Sequence, residues 1–540
     1  MDNSDVISKR GDVFCKGPLL HTVQMSKIFE DSKTFVDMKM RHPPQKILDK
    51  FENLMLKTLS SPTDQQVKQF VVDNFEKSEV EFANWHPKDW KENPGFLKNI
   101  NNNEYREFAC ALHELWKDLG RKISKKAEEE IDCSSLIWVP NPIIVPGGRF
   151  REFYYWDTYW IIRGLLISEM FETTKGMLNN FLHIVDQYGY IPNGGRIYYL
   201  GRSQPPTLIP SFKVYMDVVN DLDYLRQSIN LLEKEFDFWM TKRTKLIKLG
   251  DKEYTLATYG NCSQGPRPES YAEDVGSIST LEGDEAKSSF YSEIKAACES
   301  GMDFTSRWFV SNGTNKGSLR NIKTTSIIPV DLNAILYSNA VTLYEFNKQL
   351  QNFERADYYR GISERWLEAV EAVLWHEDVG VWLDFDLENG VRRDYFYASN
   401  LTPLWAGCYS RDADSKVVEM ALNYLHRNDI LNYPGGVPQS LEPTGEQWDF
   451  PNAWPPSQHI LIFGLRRTQN PRAQTMAEEL AKKWLNTNYQ AYLKTHHMAE
   501  KYDASLVGHS GGGGEYRVQF GFGWTNGVVL DILVNFFSDM

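Results

Sequence analysis

The chain has 540 residues, 42% hydrophobic and 24% charged, the balance of a soluble globular protein with a large core. Its formal net charge of −13 argues against nucleic acid and anionic membrane surfaces as partners, since both need a positive footprint. No run of about 18 apolar residues occurs, so no membrane-spanning helix is predicted.

In chain order, residues 1–60 read as a loop-rich lead-in that still packs on the body. Its start, MDNSDVISKRGDVF, lacks the apolar stretch of a secretory signal. Residues 61–540 read as a single domain dominated by helical periodicity. Tyr105, Phe108, Leu112, Leu115 and Leu119 recur at three- and four-residue steps and make one apolar face. Ile362, Trp366, Ala369, Val370 and Val373 repeat the pattern, as do Ala473, Met476, Ala477, Leu480 and Trp484. SKVVEMALNYLHRN and WTNGVVLDILVNFF also read as helices, and few segments alternate with period two. The predicted fold is mainly α, a toroid of antiparallel helices with long loops gathered at one end.

Those loops are rich in Gly, Pro and aromatic residues, and loops of such length in a compact protein are usually functional. PGGRFREFYYWD places Arg149, Trp156 and Asp157 among rings, fit either for a sugar or for an Arg–Asp pair beneath an aromatic cluster. YIPNGGRIYYLGRSQPP carries Asn193, Arg202 and Gln204, multidentate groups that a loop can also satisfy internally. In GPRPES, Arg267 and Glu269 share one face of extended backbone, as binding groups or as a local ion pair. Asp303 lies between Met302 and Phe304, where apolar surroundings would raise its pKa as a general acid needs; a helix N-cap is the other reading. GEQWDFPNAWPP adds Gln447, Trp448, Asp449 and Trp454, and EKYD adds Glu500 and Asp503. A four-glycine loop then leads to Glu515; without GK[ST] it reads as a flap rather than a phosphate loop.

The six cysteines are scattered, with no CxxC and no metal-ligand spacing, so neither metal nor cofactor is expected. No HExxH or GxSxG occurs. Carboxylates with aromatic platforms point to glycoside hydrolysis. Sequons at Asn261, Asn312 and Asn400 favour a secreted glycoprotein, although a cytoplasmic location stays open.

PGGRFREFYYWD and EQWDFPNAWPP resemble the two signature motifs of trehalases, enzymes that split α,α-trehalose into two glucoses. PNG, RSQPP, GPRPESY, DFTSRW, EKYD and GGGGEY resemble further segments in family order, and LLHTVQMSKIFEDSKTFVDMK resembles animal, especially insect-type, members. The resemblance implies an (α/α)6 toroid, trehalose as small-molecule substrate, a monomer and an inverting mechanism. It implies Asp303 as general acid and Glu500 as general base. Arg149, Trp156, Asp157, Asn193, Arg202, Ser203, Gln204, Arg267, Glu269, Gly301 and Glu515 fall on its substrate-contacting positions. Met302, Gly195 and Phe520 depart from the family's usual Trp, Asn and acidic residue. Two other readings stay open: a glucoamylase-like inverting glycosidase, and a weakened or inactive trehalose-binding protein.

Overall fold

The computed structural model describes residues 3–279, 281–410 and 414–538. Among these, twelve helices alternate along the chain between an outer and an inner ring. They are α1 (Asn103–Leu119), α2 (Asp157–Ile167), α3 (Phe171–Tyr188), α4 (Leu208–Val219), α5 (Leu222–Lys242) and α6 (Val330–Gln349). Then follow α7 (Phe353–Val373), α8 (Thr402–Ala406), α9 (Asp414–Arg427), α10 (Pro455–Arg467), α11 (Pro471–Thr495) and α12 (Gly523–Phe536). The even-numbered helices touch in succession, and α12 returns to pack on α2. The odd-numbered helices lie outside: α1 against α12, α3 against α2 and α4, α5 and α7 against α6, α11 against α10 and α12. This is the (α/α)6 toroid.

Sequence explains the two rings. Inner α2 and α12 are apolar around nearly their whole circumference and are buried along most of their length. Outer α1 buries one stripe, Phe108, Ala109, Leu112, His113, Trp116 and Leu119, and is capped by Asn102, whose side chain accepts from the Tyr105 N–H. The ring closes tightly where glycines meet. A Cβ on Gly527 would lie 1.9 Å from the Trp160 carbonyl oxygen, and one on Gly164 would lie 2.8 Å from the Gly527 Cα.

The lead-in differs from its loop-rich reading. Helices Asn3–Phe14, Pro18–Met25, Lys33–Val36 and Pro44–Lys57 occupy most of it, and Val13, Phe14, Leu19, Leu20, Val23 and Phe35 join the common core. These helices are short, so tertiary burial rather than a long periodic run fixes them. A β-hairpin pairing Thr244–Leu249 with Lys252–Ala257 also escaped the periodicity reading. All six cysteines are free thiols. No helix among the described residues is long and apolar enough to cross a membrane.

Candidate active site

Each residue that builds the cleft lies in a connection leading from an outer helix to an inner one, or in the first turn of that inner helix. The cleft therefore sits at one end of the toroid, over the N-termini of the inner helices. Its cavity is about 90 Å³, well below the roughly 300 Å³ or more of typical ligand pockets. Trp156, Trp448, Trp454 and Trp524 form its aromatic wall; Trp448 and Trp454 stack with centroids 3.8 Å apart. A second cavity, about 560 Å³, lies against the lead-in, and Arg149 is the one candidate residue it shares with the cleft.

Asp303 and Glu500 both line the cleft, in different surroundings. The Glu500 carboxylate accepts from the Tyr516 hydroxyl at 2.8 Å and the Gln519 N–H at 3.2 Å. The Asp303 carboxyl has the Cys298 thiol at 3.7 Å. Burial pushes Asp303 up to about 7, against the pull of the Arg267 guanidinium. Burial also raises Glu500, opposed by Lys501, its two hydrogen-bond donors and Arg149. Asp157, the first residue of α2, is raised well above the usual carboxylate range by burial and by the like charges of Glu500 and Asp303. Three carboxyls thus converge on one small space.

The arginines meet carboxylates rather than empty space. Arg149 forks onto Asp31 at 2.9 and 2.7 Å. Arg202 pairs with Glu269. Arg267 binds Asp274 on one side and Glu515 on the other, the latter at 3.1 and 2.8 Å. Gln204 accepts from the Trp156 N–H at 3.1 Å, and the Asn193 amide donates to the Cys298 carbonyl at 3.4 Å. Gly301, at φ +73°, packs its backbone on the Trp156 indole, where a Cβ would lie 2.7 Å from the ring.

Of the catalytic and substrate-contacting residues that the resemblance implies, Ser203 alone does not line the cleft; Asp449 and Asp503, singled out from their motifs, also lie outside it. The Ser203 N–H donates to Glu299 at 2.7 Å and its hydroxyl to the Ile191 carbonyl at 2.6 Å, so it fastens the loop that carries Arg202. Asp449 likewise fastens the loop after Asp303, accepting from Thr305, Ser306 and Ser440. The site reading missed Cys298 and Tyr516. Cys298 lies in the last turn of the helix Asp284–Glu299, outside the motifs read from the sequence, whereas Tyr516 immediately follows the singled-out Glu515. None of the three departures supplies a group that lines the cleft, although Met302 precedes Asp303 and Phe520 bridges to Ala499, the neighbour of Glu500. Met302 is buried with its sulfur 3.4 Å from Arg307 Nη1, Gly195 is held by main-chain bonds to Phe153 and Ile137, and Phe520 is exposed. Among the described residues, no three His, Cys, Asp or Glu side chains are grouped to hold a metal ion.

A closed double ring of helices with paired carboxyls and an aromatic wall at one end defines an (α/α)6 glycoside hydrolase. The sequence profile of trehalases matches residues 27–537. The chain belongs to the trehalase family. It is 51% identical to the trehalase of Apis mellifera over 97% of this chain and 84% of that protein. It is 47% identical to human trehalase, covering 97% and 89%. In fold it matches the neutral trehalase of Saccharomyces cerevisiae with TM-score 0.61 at 23% identity, over 76% of this chain and 80% of that one.

Proposed function

We propose that this chain hydrolyses α,α-trehalose to two glucose molecules by an inverting mechanism, with Asp303 as general acid and Glu500 as general base. The observation that carries the reading is the unequal hydrogen bonding of two carboxyls facing one cavity. Two donors support the charged form of the buried Glu500, while the part-buried Asp303 has only the Cys298 thiol as side-chain donor and is pushed up to about 7 by desolvation. Asp303 passes its proton to the glycosidic oxygen as the bond from that oxygen to the anomeric carbon breaks. Water adds to that carbon from the opposite face and gives its proton to Glu500. One α- and one β-glucose leave, and both carboxyls return to their starting states after exchange with solvent.

Arg149, Arg202 and Arg267 present planar forks to sugar hydroxyls, with Asp157, Asn193, Gln204, Glu269 and Glu515 as further polar contacts. Trp156, carried on the Gly301 backbone, offers a flat apolar face. Ser203 acts by holding its loop. Glu515 follows the glycine loop and its bridge to Arg267 belongs to the cleft lining, so substrate entry would part that bridge and move the loop with it.

Residues 61–540 serve as one catalytic domain, with residues 1–60 packed on its rim. A monomer fits a ring closed within one chain, with all cleft residues supplied by that chain. Secretion is part of the same reading, supported by the exposed sequon at Asn312. The relatives at 47–51% identity named above bear the trehalase name, which favours trehalose over maltose and catalysis over inert binding. The test is glucose release from trehalose by wild type, Asp303→Asn and Glu500→Gln. Loss of general acid or base catalysis lowers kcat by about 10²–10⁴-fold. Near-normal turnover in either variant would remove that residue from its role.

A further inference from the structure

Three arginines carry the substrate side of the cleft, and each stands on a different loop. All three loops touch the same short piece of the lead-in. Asp31 accepts both prongs of Arg149, whose guanidinium lies 4.6 Å from the centre of the Tyr516 ring. The Tyr516 hydroxyl in turn donates to Glu500. Two residues on, the Lys33 ammonium donates to Glu152 at 2.7 Å, and the same Glu152 oxygen accepts from Tyr154 at 2.7 Å. The Tyr154 hydroxyl meets that of Tyr199 at 2.7 Å, and the Tyr199 ring lies 5.1 Å from the Arg202 guanidinium. Tyr154 and Tyr199 both line the cleft. Gln24 donates to the carbonyl of Pro268, between Arg267 and Glu269, and to the carbonyl of Ser32.

We propose that residues 24–37 form a positioning strap for the arginine loops, in which Asp31 orients Arg149 and Lys33 braces the loop of Arg202 through Glu152, Tyr154 and Tyr199. This rests on the reading of the arginines as substrate contacts given above. The strap holds geometry that the toroid alone leaves loose: Arg149 follows two glycines at φ +124° and +59°, and its side chain has many rotamers. A two-pronged carboxylate fixes the plane of a guanidinium where a single contact fixes only its distance.

Asp31 is the informative position. Its side chain is 40% exposed, so its pair with Arg149 adds little to stability while still setting orientation. Lys33 is buried between Asp37 and Glu152, and removing it would leave both buried carboxylates to Arg196 as their remaining cation, so folding and positioning would fall together.

The experiment measures KM and kcat on trehalose for the full chain, Asp31→Asn, Asp31→Glu, Arg149→Lys and the Asp31→Asn/Arg149→Lys double variant, with a thermal melt of each. Asp31→Asn should raise KM about tenfold or more with a smaller fall in kcat, and Asp31→Glu should recover part of the loss. Melting should move by no more than about 2 °C, since an exposed pair is weak. The double variant should be no worse than Arg149→Lys alone, because Asp31 acts through Arg149. The strap is overturned if Arg149→Lys impairs activity while Asp31→Asn leaves KM within about twofold, or if the two losses multiply. If Arg149→Lys itself is near normal, the site reading fails instead.

Discussion

Lys501 donates to the side-chain carbonyl of Gln447 at 3.2 Å, and the amide nitrogen of the same glutamine donates to the main-chain carbonyl of Asp303 at 2.6 Å. The neighbour of one carboxyl in the chain is thus tied, through a single side chain, to the backbone of the other. Lys501 also donates to the Gly513 carbonyl at 3.3 Å, within the glycine loop. Burial brings its ammonium down to about 8, and the negative charges of Glu500 and Asp303 oppose that fall.

Lys501→Met should therefore change the pH profile as well as the rate. Lys501 is a cation that pulls the Glu500 pKa down, so its removal raises that pKa further. The acid limb of kcat/KM should move to higher pH. Gln447 and Gly513 lose a donor, and kcat should fall by about 10²-fold as Asp303 loses its fixed position. An acid limb that stays in place would disconnect Lys501 from Glu500.

The wild-type profile should be a narrow bell. The general acid works protonated, and Asp303 gives up its proton around pH 7, so kcat/KM should fall as pH rises above about 7. The general base works ionised, and burial lifts Glu500 above its ordinary range, so activity should also fall on the acid side at a higher pH than a free glutamate would set. Asp157 lies close enough to couple with both, and the two limbs report macroscopic values of the set. Constant kcat/KM from pH 7 to about 9 would contradict the role of Asp303.

Stereochemistry tests both carboxyls together. Proton NMR of the anomeric signals, recorded before mutarotation, should show α- and β-glucose in equal amounts. A retaining enzyme, with carboxyls only about 5–5.5 Å apart, would yield α-glucose alone. That result would pass the second role from Glu500 to Asp157 or Glu515.

The three sequons should not be equivalent. Asn400 is buried, and its amide donates to the Tyr395 carbonyl at 2.9 Å, so a glycan there cannot coexist with the fold. Asn261 is half-buried with its amide on Ser292. Asn312 is exposed. Peptide mapping after expression in a secretory host should find a glycan at Asn312 and none at Asn400. Asn400→Gln should lower the melting temperature, since it disturbs a buried hydrogen bond worth about 1 kcal/mol. Occupancy at Asn400 would contradict the packing of α8 and its preceding turn.

Long amphipathic helices were legible in the sequence because burial on one face writes a repeat of three and four. Ala473, Met476, Ala477, Leu480 and Trp484 of α11 are all buried as their spacing requires. Inner α8 was not legible. It has five residues, too few for any period to show, and the neighbouring inner helices hold it in place. At the cleft, Arg149, Trp156 and Asp303 could be picked out because charge among rings is unusual in a core. Ser203 could not be separated from them, since a hydroxyl beside an arginine reads the same whether it faces a ligand or its own loop. Cys298 was silent for the opposite reason: a thiol at a helix end is ordinary, and its nearness to Asp303 exists only in three dimensions.

The glycine-tight seam between α2 and α12 joins the first inner helix to the last. During synthesis α2 leaves the ribosome early and must wait for nearly the whole catalytic sequence before its partner exists. Until then the apolar flank that faces Gly527 is open, and the nascent arc of helices resembles an incomplete solenoid with two sticky ends. Such a chain gains its decisive contacts late and across a long loop, which slows folding and invites pairing with a neighbouring chain. The clearance at Gly527 then has a kinetic meaning. Gly527→Ala replaces no residue of the cleft lining and yet would trap the open arc, so its first signature would be loss of soluble protein during expression.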